Sequence, residues 1–176
     1  MEKVVIVTIY LLVSIHMVAA EELNREMPDV TLKSNQRTSV GFSELRGQVI
    51  LLNFWASWCK PCLEEMPLLN ELHNDYRKAG FSVLGVNIEN TADSHTLNAV
   101  NTFIRDKKIT FPVLYDPKKV LVRGIEQQVM DKKMGLPTSV FIDRSGNARC
   151  LHEGYMPGDE HDYRQLIERL IQLGAR

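Results

Sequence analysis

Val49-Ile50-Leu51-Leu52-Asn53-Phe54-Trp55 is a near-continuous apolar run, and Cys59-Lys60-Pro61-Cys62 follows it almost at once. A run of this kind suits a strand covered on both faces, since a half-exposed strand would alternate apolar and polar residues. Leu63, Met66, Leu69 and Leu72 then repeat at the spacing of one helix face, predicting a helix from about Pro61 to Lys78. A buried strand feeding a helix through a tight joint is the unit of an α/β domain, and the remaining elements must be arranged around it.

The joint also constrains the chemistry. A helix N-terminus has unpaired N–H groups and a partial positive charge, both of which stabilise a thiolate. The thiolate is the reactive form, and such positions lower a cysteine pKa from ~8.5 to ~3.5–7.5. Cys59, at an exposed helix start, is therefore expected to attack a substrate disulfide. Cys62, one turn further in, is expected to resolve the mixed disulfide. Pro61 fits the first helical turn, where a missing N–H does little harm. Lys60 adds a positive charge that should lower the Cys59 pKa further.

Other uses of the pair fit less well. A zinc site commonly needs a second paired motif, and neither Cys150 nor the scattered histidines have that spacing, so no metal is expected. Covalent haem attachment needs His directly after the second cysteine, where this chain has Leu63. A structural disulfide over so short a loop would stabilise little. Redox chemistry remains, with the Cys59–Cys62 disulfide as the redox group and no separate cofactor.

Strands and helices alternate along the rest of the chain. Pro28 to Phe42 reads as a hairpin around Ser34-Asn35-Gln36-Arg37. Phe81 to Val86 is a second buried strand, Thr91 to Lys107 a more polar helix, and Phe111 to Tyr115 a short strand. Asp116-Pro117 is a good helix start, and Leu121, Ile125, Val129 and Met130 extend that helix towards Met134. Thr138 to Ile142 and Ala148 to His152 flank the turn residues Asp143-Arg144-Ser145-Gly146-Asn147. Tyr163, Leu166, Ile167, Leu170 and Ile171 mark an amphipathic last helix. The order predicts a three-layer α/β/α domain with a mixed central sheet.

Residues 1–20 differ from the rest. Val4 to Ile15 is almost wholly apolar, and Val18-Ala19-Ala20 presents small residues before Glu21-Glu22. This reads as a signal peptide cleaved after Ala20, with an uncleaved N-terminal anchor as the alternative, leaving residues 21–176 as the domain. Either way the domain is expected to be periplasmic or otherwise extracytoplasmic, where disulfide chemistry is permitted. Membrane contact is expected only if the segment stays attached. The formal net charge of −1 offers no field for nucleic acid, so that partner class is not expected.

Asn53-Phe54-Trp55-Ala56-Ser57-Trp58-Cys59-Lys60-Pro61-Cys62 resembles the active-site segment of the thioredoxin superfamily. Leu63-Glu64-Glu65-Met66-Pro67 after it, and Pro28-Asp29-Val30-Thr31-Leu32 before it, resemble the exported TlpA/ResA branch, which is related to the AhpC/TSA redoxins. The likeness runs from about Pro28 to the terminal helix. It implies a thioredoxin-like sheet with an N-terminal hairpin and a central strand–helix insertion. It also implies a cis-proline at Leu136-Pro137-Thr138 facing the cysteines, and a helix kinked at Pro67. Glu65 matches an acidic residue near the buried thiol; the alternative is a solvated helix-face glutamate, as Glu64 is expected to be. Thioredoxins proper have aspartate where this chain has Asn53, and Glu65 would replace that proton acceptor. Trp58 is expected to shield the disulfide and, with Lys60, Pro61, Leu136 and Pro137, to form the substrate surface. Trp55 fits the core equally well. Cys150, without a family counterpart, reads as a small buried hydrophobe.

The resemblance implies a thiol–disulfide oxidoreductase that reduces exported proteins, with apocytochrome c thiols as one substrate and a membrane thiol-transferring protein as donor. Two alternatives share the fold. A thiol peroxidase would use a single cysteine preceded by Thr or Ser, and a non-enzymatic thiol- or metal-binding module would use the Trp58–Pro137 surface.

Overall fold

In the computed structural model, which describes residues 23–173, strand β4 (Val49–Trp55) is buried at every residue and lies inside an eight-stranded sheet. The expected export segment at residues 1–20 lies outside the described residues. Strand order is β1-β8-β7-β4-β5-β6-β2-β3, with β1 (Arg25–Glu26), β2 (Thr31–Ser34), β3 (Ser39–Gly41), β5 (Phe81–Asn87), β6 (Val113–Tyr115), β7 (Thr138–Ile142) and β8 (Asn147–Glu153). β4, β5 and β6 run parallel, and every other pairing is antiparallel, so the sheet is mixed as expected.

Period-two alternation in β4 divides the core. Val49, Leu51 and Trp55 point to one layer, where helices α1 (Lys60–Tyr76), α2 (Ser94–Asp106) and α4 (Asp159–Leu173) pack. Ile50, Leu52 and Phe54 point to the other, covered by α3 (Val120–Ile125), its continuation and Phe42. The hairpin β2–β3 joins the sheet through β6, and α2 with β6 forms the central insertion. Asn53 falls in the first register, beneath α1.

Several boundaries move. The helix expected from Asp116 to Met134 begins later and ends sooner. Asp116 is fully buried, and its carboxylate accepts the N–H groups of Val120 (2.7 Å) and Val122 (3.0 Å), so it caps rather than begins the helix. After Ile125 the chain widens into a π-helical turn, Glu126–Met130, and Asp131 at φ 55° ends it. Asp93 caps α2 through a 2.8 Å bond from Thr96 N–H, which sets its start at Ser94 rather than Thr91. Strand β1, which pairs with β8, is too short to show any sequence period.

Gly85 marks a close approach inside this framework. A Cβ built there would lie 2.9 Å from Phe111 Cε2 and 3.1 Å from Trp55 Nε1, both on fully buried side chains. Gly85→Ala should therefore cost ~1–3 kcal/mol through overpacking, seen as a lower urea midpoint at unchanged m-value. An unchanged midpoint would contradict the packing described.

Candidate active site

Cys59 is the N-cap of α1, in extended conformation, and its Sγ accepts the Cys62 N–H at 3.3 Å. The two cysteines are joined by a disulfide. Pro61 stands in the first turn, half-buried, and the helix continues through the exposed Pro67. Cys59 is less open than its place at a helix start suggests, keeping 5% exposure against none for Cys62. Of the two, Cys59 is the one nearer to solvent.

The surroundings of the pair are uneven. Trp58 is 70% exposed beside the disulfide, whereas Trp55 is core and packs on Phe103 at 5.4 Å between ring centroids. Lys60 is exposed and 3.9 Å from Glu64, so part of its charge is answered by a neighbour on the same helix. The loop before Cys59 is clamped by Glu89, whose carboxylate accepts Ser57 N–H (2.7 Å) and Ser57 Oγ–H (2.9 Å). Asn87 Nδ2 donates to the same carboxylate at 2.8 Å.

Glu65 is fully buried, one turn beyond Cys62, while Glu64 is the solvated glutamate of the pair. Its Oε1 accepts Tyr163 Oη–H at 2.9 Å and Ser139 Oγ–H at 3.3 Å. Its Oε2 accepts Asn53 Nδ2–H at 2.9 Å, and Asn53 also donates to Ser139 Oγ at 3.0 Å. Burial raises the Glu65 pKa from 4.5 to about 6, the hydrogen bonds opposing it, with Tyr163 first among them. Burial, and then the charge of Glu65, pushes the Tyr163 hydroxyl well above its ordinary range. A carboxyl that exchanges a proton near neutrality in a dry site is suited to proton transfer at a thiol.

The Leu136–Pro137 bond is cis. Thr138 pairs with Phe54 in the ladder, which puts Pro137 at the same end of the sheet as the disulfide. Pro137 is itself buried and its carbonyl accepts Gly154 N–H at 2.8 Å. What this turn offers a partner is thus Gly135 and the half-buried Leu136. Cys150 is a free, half-buried thiol whose pKa is raised by burial, which makes it a poor nucleophile. Among the described residues no three His, Cys, Asp or Glu side chains are grouped as metal ligands.

Tyr163, Ser139 and Glu89 are site residues that sequence reading does not single out. Tyr163 fits the apolar stripe of the last helix, and the only clue is its hydroxyl, which must find a partner when buried.

Residues 23–150 match the AhpC/TSA family. The chain is 32% identical over 136 residues to the thioredoxin-like protein YneN of Bacillus subtilis, covering 77% of this chain and 74% of YneN. It is 33% identical over 144 residues to the thiol–disulfide oxidoreductase ResA of Geobacillus thermodenitrificans, covering 81% of this chain and 75% of ResA. Among solved structures, one assigned as thiol:disulfide interchange protein DsbE from Chlorobium tepidum superposes with a TM-score of 0.72 at 33% identity, over 85% of this chain and 98% of that one.

The Glu65 cluster has a measurable pH signature. With its pKa near 6 folded and 4.5 unfolded, the folded state binds more protons between those values. Its contribution to stability is therefore full below pH 4.5 and falls by about 2 kcal/mol as pH rises through 6. Urea unfolding across this window should show that fall in the wild type and its loss in Glu65→Gln. Tyr163→Phe removes a bond to the charged form and should move the fall to higher pH. Identical pH profiles for all three proteins would contradict the assignment.

Proposed function

The chain belongs to the AhpC/TSA family, and on that premise we propose that it reduces disulfides of exported proteins through Cys59 and Cys62. Its enzyme class, a thiol–disulfide oxidoreductase of thioredoxin-like fold, follows from relatives a third identical that carry that name. The observation that carries the finer reading is the disulfide capping α1 above a buried carboxylate.

In the dithiol form, the Cys59 thiolate attacks one sulfur of a substrate disulfide. The substrate S–S bond breaks, and its departing thiolate takes up a proton. Glu65 then accepts the Cys62 proton, directly or through one water, and the Cys62 thiolate attacks Cys59 Sγ. The mixed disulfide breaks, the second substrate thiolate leaves and is protonated, and the disulfide present in this structure is formed. Two electrons have passed from protein to substrate. A dithiol donor must return them; a membrane thiol-transferring protein is the proposed one.

The proposed direction rests on the Glu65 charge outweighing the thiolate stabilisation that the helix start gives Cys59. A strong oxidant is one whose reduced form is stabilised, chiefly as a thiolate. Here a buried anionic Glu65 one turn from Cys62 disfavours a second negative charge, which favours the disulfide and lowers the potential. Apocytochrome c thiols awaiting haem are one proposed substrate. The proposed location is extracytoplasmic, through the N-terminal segment; among the described residues no helix is long and apolar enough to cross a membrane.

Cys59→Ser should abolish insulin-disulfide reduction, followed as turbidity with dithiothreitol as donor. Cys62→Ser should retain attack and accumulate a mixed disulfide, visible as a mass adduct that thiols remove. Adducts on Cys62 in Cys59→Ser, with none on Cys59 in Cys62→Ser, would reverse the roles assigned.

A further inference from the structure

On the side of the sheet away from α1, a groove of about 360 Å³ opens next to Leu136. Ile88, Val122 and Leu136 give it an apolar floor, and Lys119, Arg123 and Lys133 stand on its rim. The one carboxylate there, Glu126, is already engaged. Its Oε1 accepts Met134 N–H at 3.0 Å and its Oε2 pairs with Lys133 Nζ at 3.0 Å. Lys119 and Arg123 are exposed, and Arg123 is held by the Lys118 carbonyl at 2.7 Å rather than by an acid. Three cations against one committed carboxylate is a local excess in a chain whose formal net charge is −1.

Two residues of the groove are tied to the segments that carry the redox centre. Ile88 N–H donates to the Trp55 carbonyl at 3.2 Å, at the end of β4 that leads to Cys59. Leu136 precedes Pro137 and the strand that pairs with Phe54. Ile88 and Leu136 pack against both core layers, so the groove floor is shared with the layer that holds the disulfide. The shortened α3 and its π-helical turn are what bring Arg123 and Glu126 to this edge.

The geometry points to this groove as the seat of an acidic segment of the polypeptide whose disulfide Cys59 attacks, an inference that rests on the reductase reading above. An apolar side chain near the substrate cysteine meets the floor, and Asp or Glu beside it meets Lys119 and Arg123. Charge complementarity of this kind acts mainly on encounter and specificity, and it weakens with salt.

The test uses the full chain and two cystine peptides that differ only in their flanking residues, Asp/Glu in one and Lys in the other. The reduced wild type should favour the acidic peptide in kcat/KM by roughly three- to tenfold at low salt, the scale of one or two exposed ion pairs. The preference should shrink towards unity in 0.5 M salt, a level chosen to be well above the roughly 0.1 M at which the screening length is about 10 Å. Lys119→Gln/Arg123→Gln should erase it, and Lys119→Glu/Arg123→Glu should invert it, while oxidation of the dithiol by a neutral disulfide stays unchanged. Equal rates for both peptides with the wild type would overturn the inference and leave the reductase reading standing. Failure to reduce either peptide would overturn both. Salt-sensitive binding to phosphatidylglycerol vesicles that the Gln variant loses, without any peptide preference, would assign the groove to a lipid surface and overturn the inference too.

Discussion

Glu65 is held without solvent contact one turn beyond the buried sulfur, and the sheet and the helical layer above it together keep it there. β4 supplies Asn53, β7 supplies Ser139, α4 supplies Tyr163, and α1 presents the carboxylate itself. A carboxyl moved into a dry site without partners would simply stay protonated. Three donors bring its pKa back to about 6, where it can give and take a proton at physiological pH. Cys62, one turn earlier on the same helix, is likewise held away from solvent.

A second influence acts on the other sulfur. The first turn of α1 directs an N–H at Cys59 Sγ, and unpaired amides and the helix dipole favour a thiolate there. In the proposed mechanism the two effects divide the labour across one helical turn: Cys59 carries the charge, and Cys62 gives up its proton to Glu65. Lys60, placed between them in sequence, reaches outward to Glu64 and reinforces this division less than its position suggests. Glu89 fixes Ser57 two residues before Cys59, so the N-cap is held by its own loop as well as by the helix.

The strand–helix joint was legible because it rests on local rules, an apolar run followed by a helical period with cysteines at the first turn. The three layers and mixed sheet followed from element order for the same reason. Glu65 was ambiguous because Glu64 beside it has the same composition-level signal. Only the register of α1 on β4 shows which one faces Asn53. Tyr163 was hidden among Leu and Ile of an amphipathic stripe, since nothing local tells a buried hydroxyl which acceptor it will meet 98 residues away in sequence. The α3 region misled for the opposite reason. Leu121, Ile125 and Val129 do keep a helical spacing, but Asp116 takes up two amides as a cap and Asp131 adopts a left-handed turn. Both are tertiary choices that periodicity does not record. The cis bond at Pro137 came from resemblance alone.

Placing a desolvated acid beneath Cys62 should make the disulfide the favoured state, and the reduction potential reads that balance directly. Equilibrating the protein with thiol–disulfide buffers of known poise at pH 7 gives the value for the Cys59–Cys62 pair. The account predicts a potential at or below that of thioredoxin, about −270 mV. A potential near −120 mV, typical of a strong disulfide donor, would contradict it.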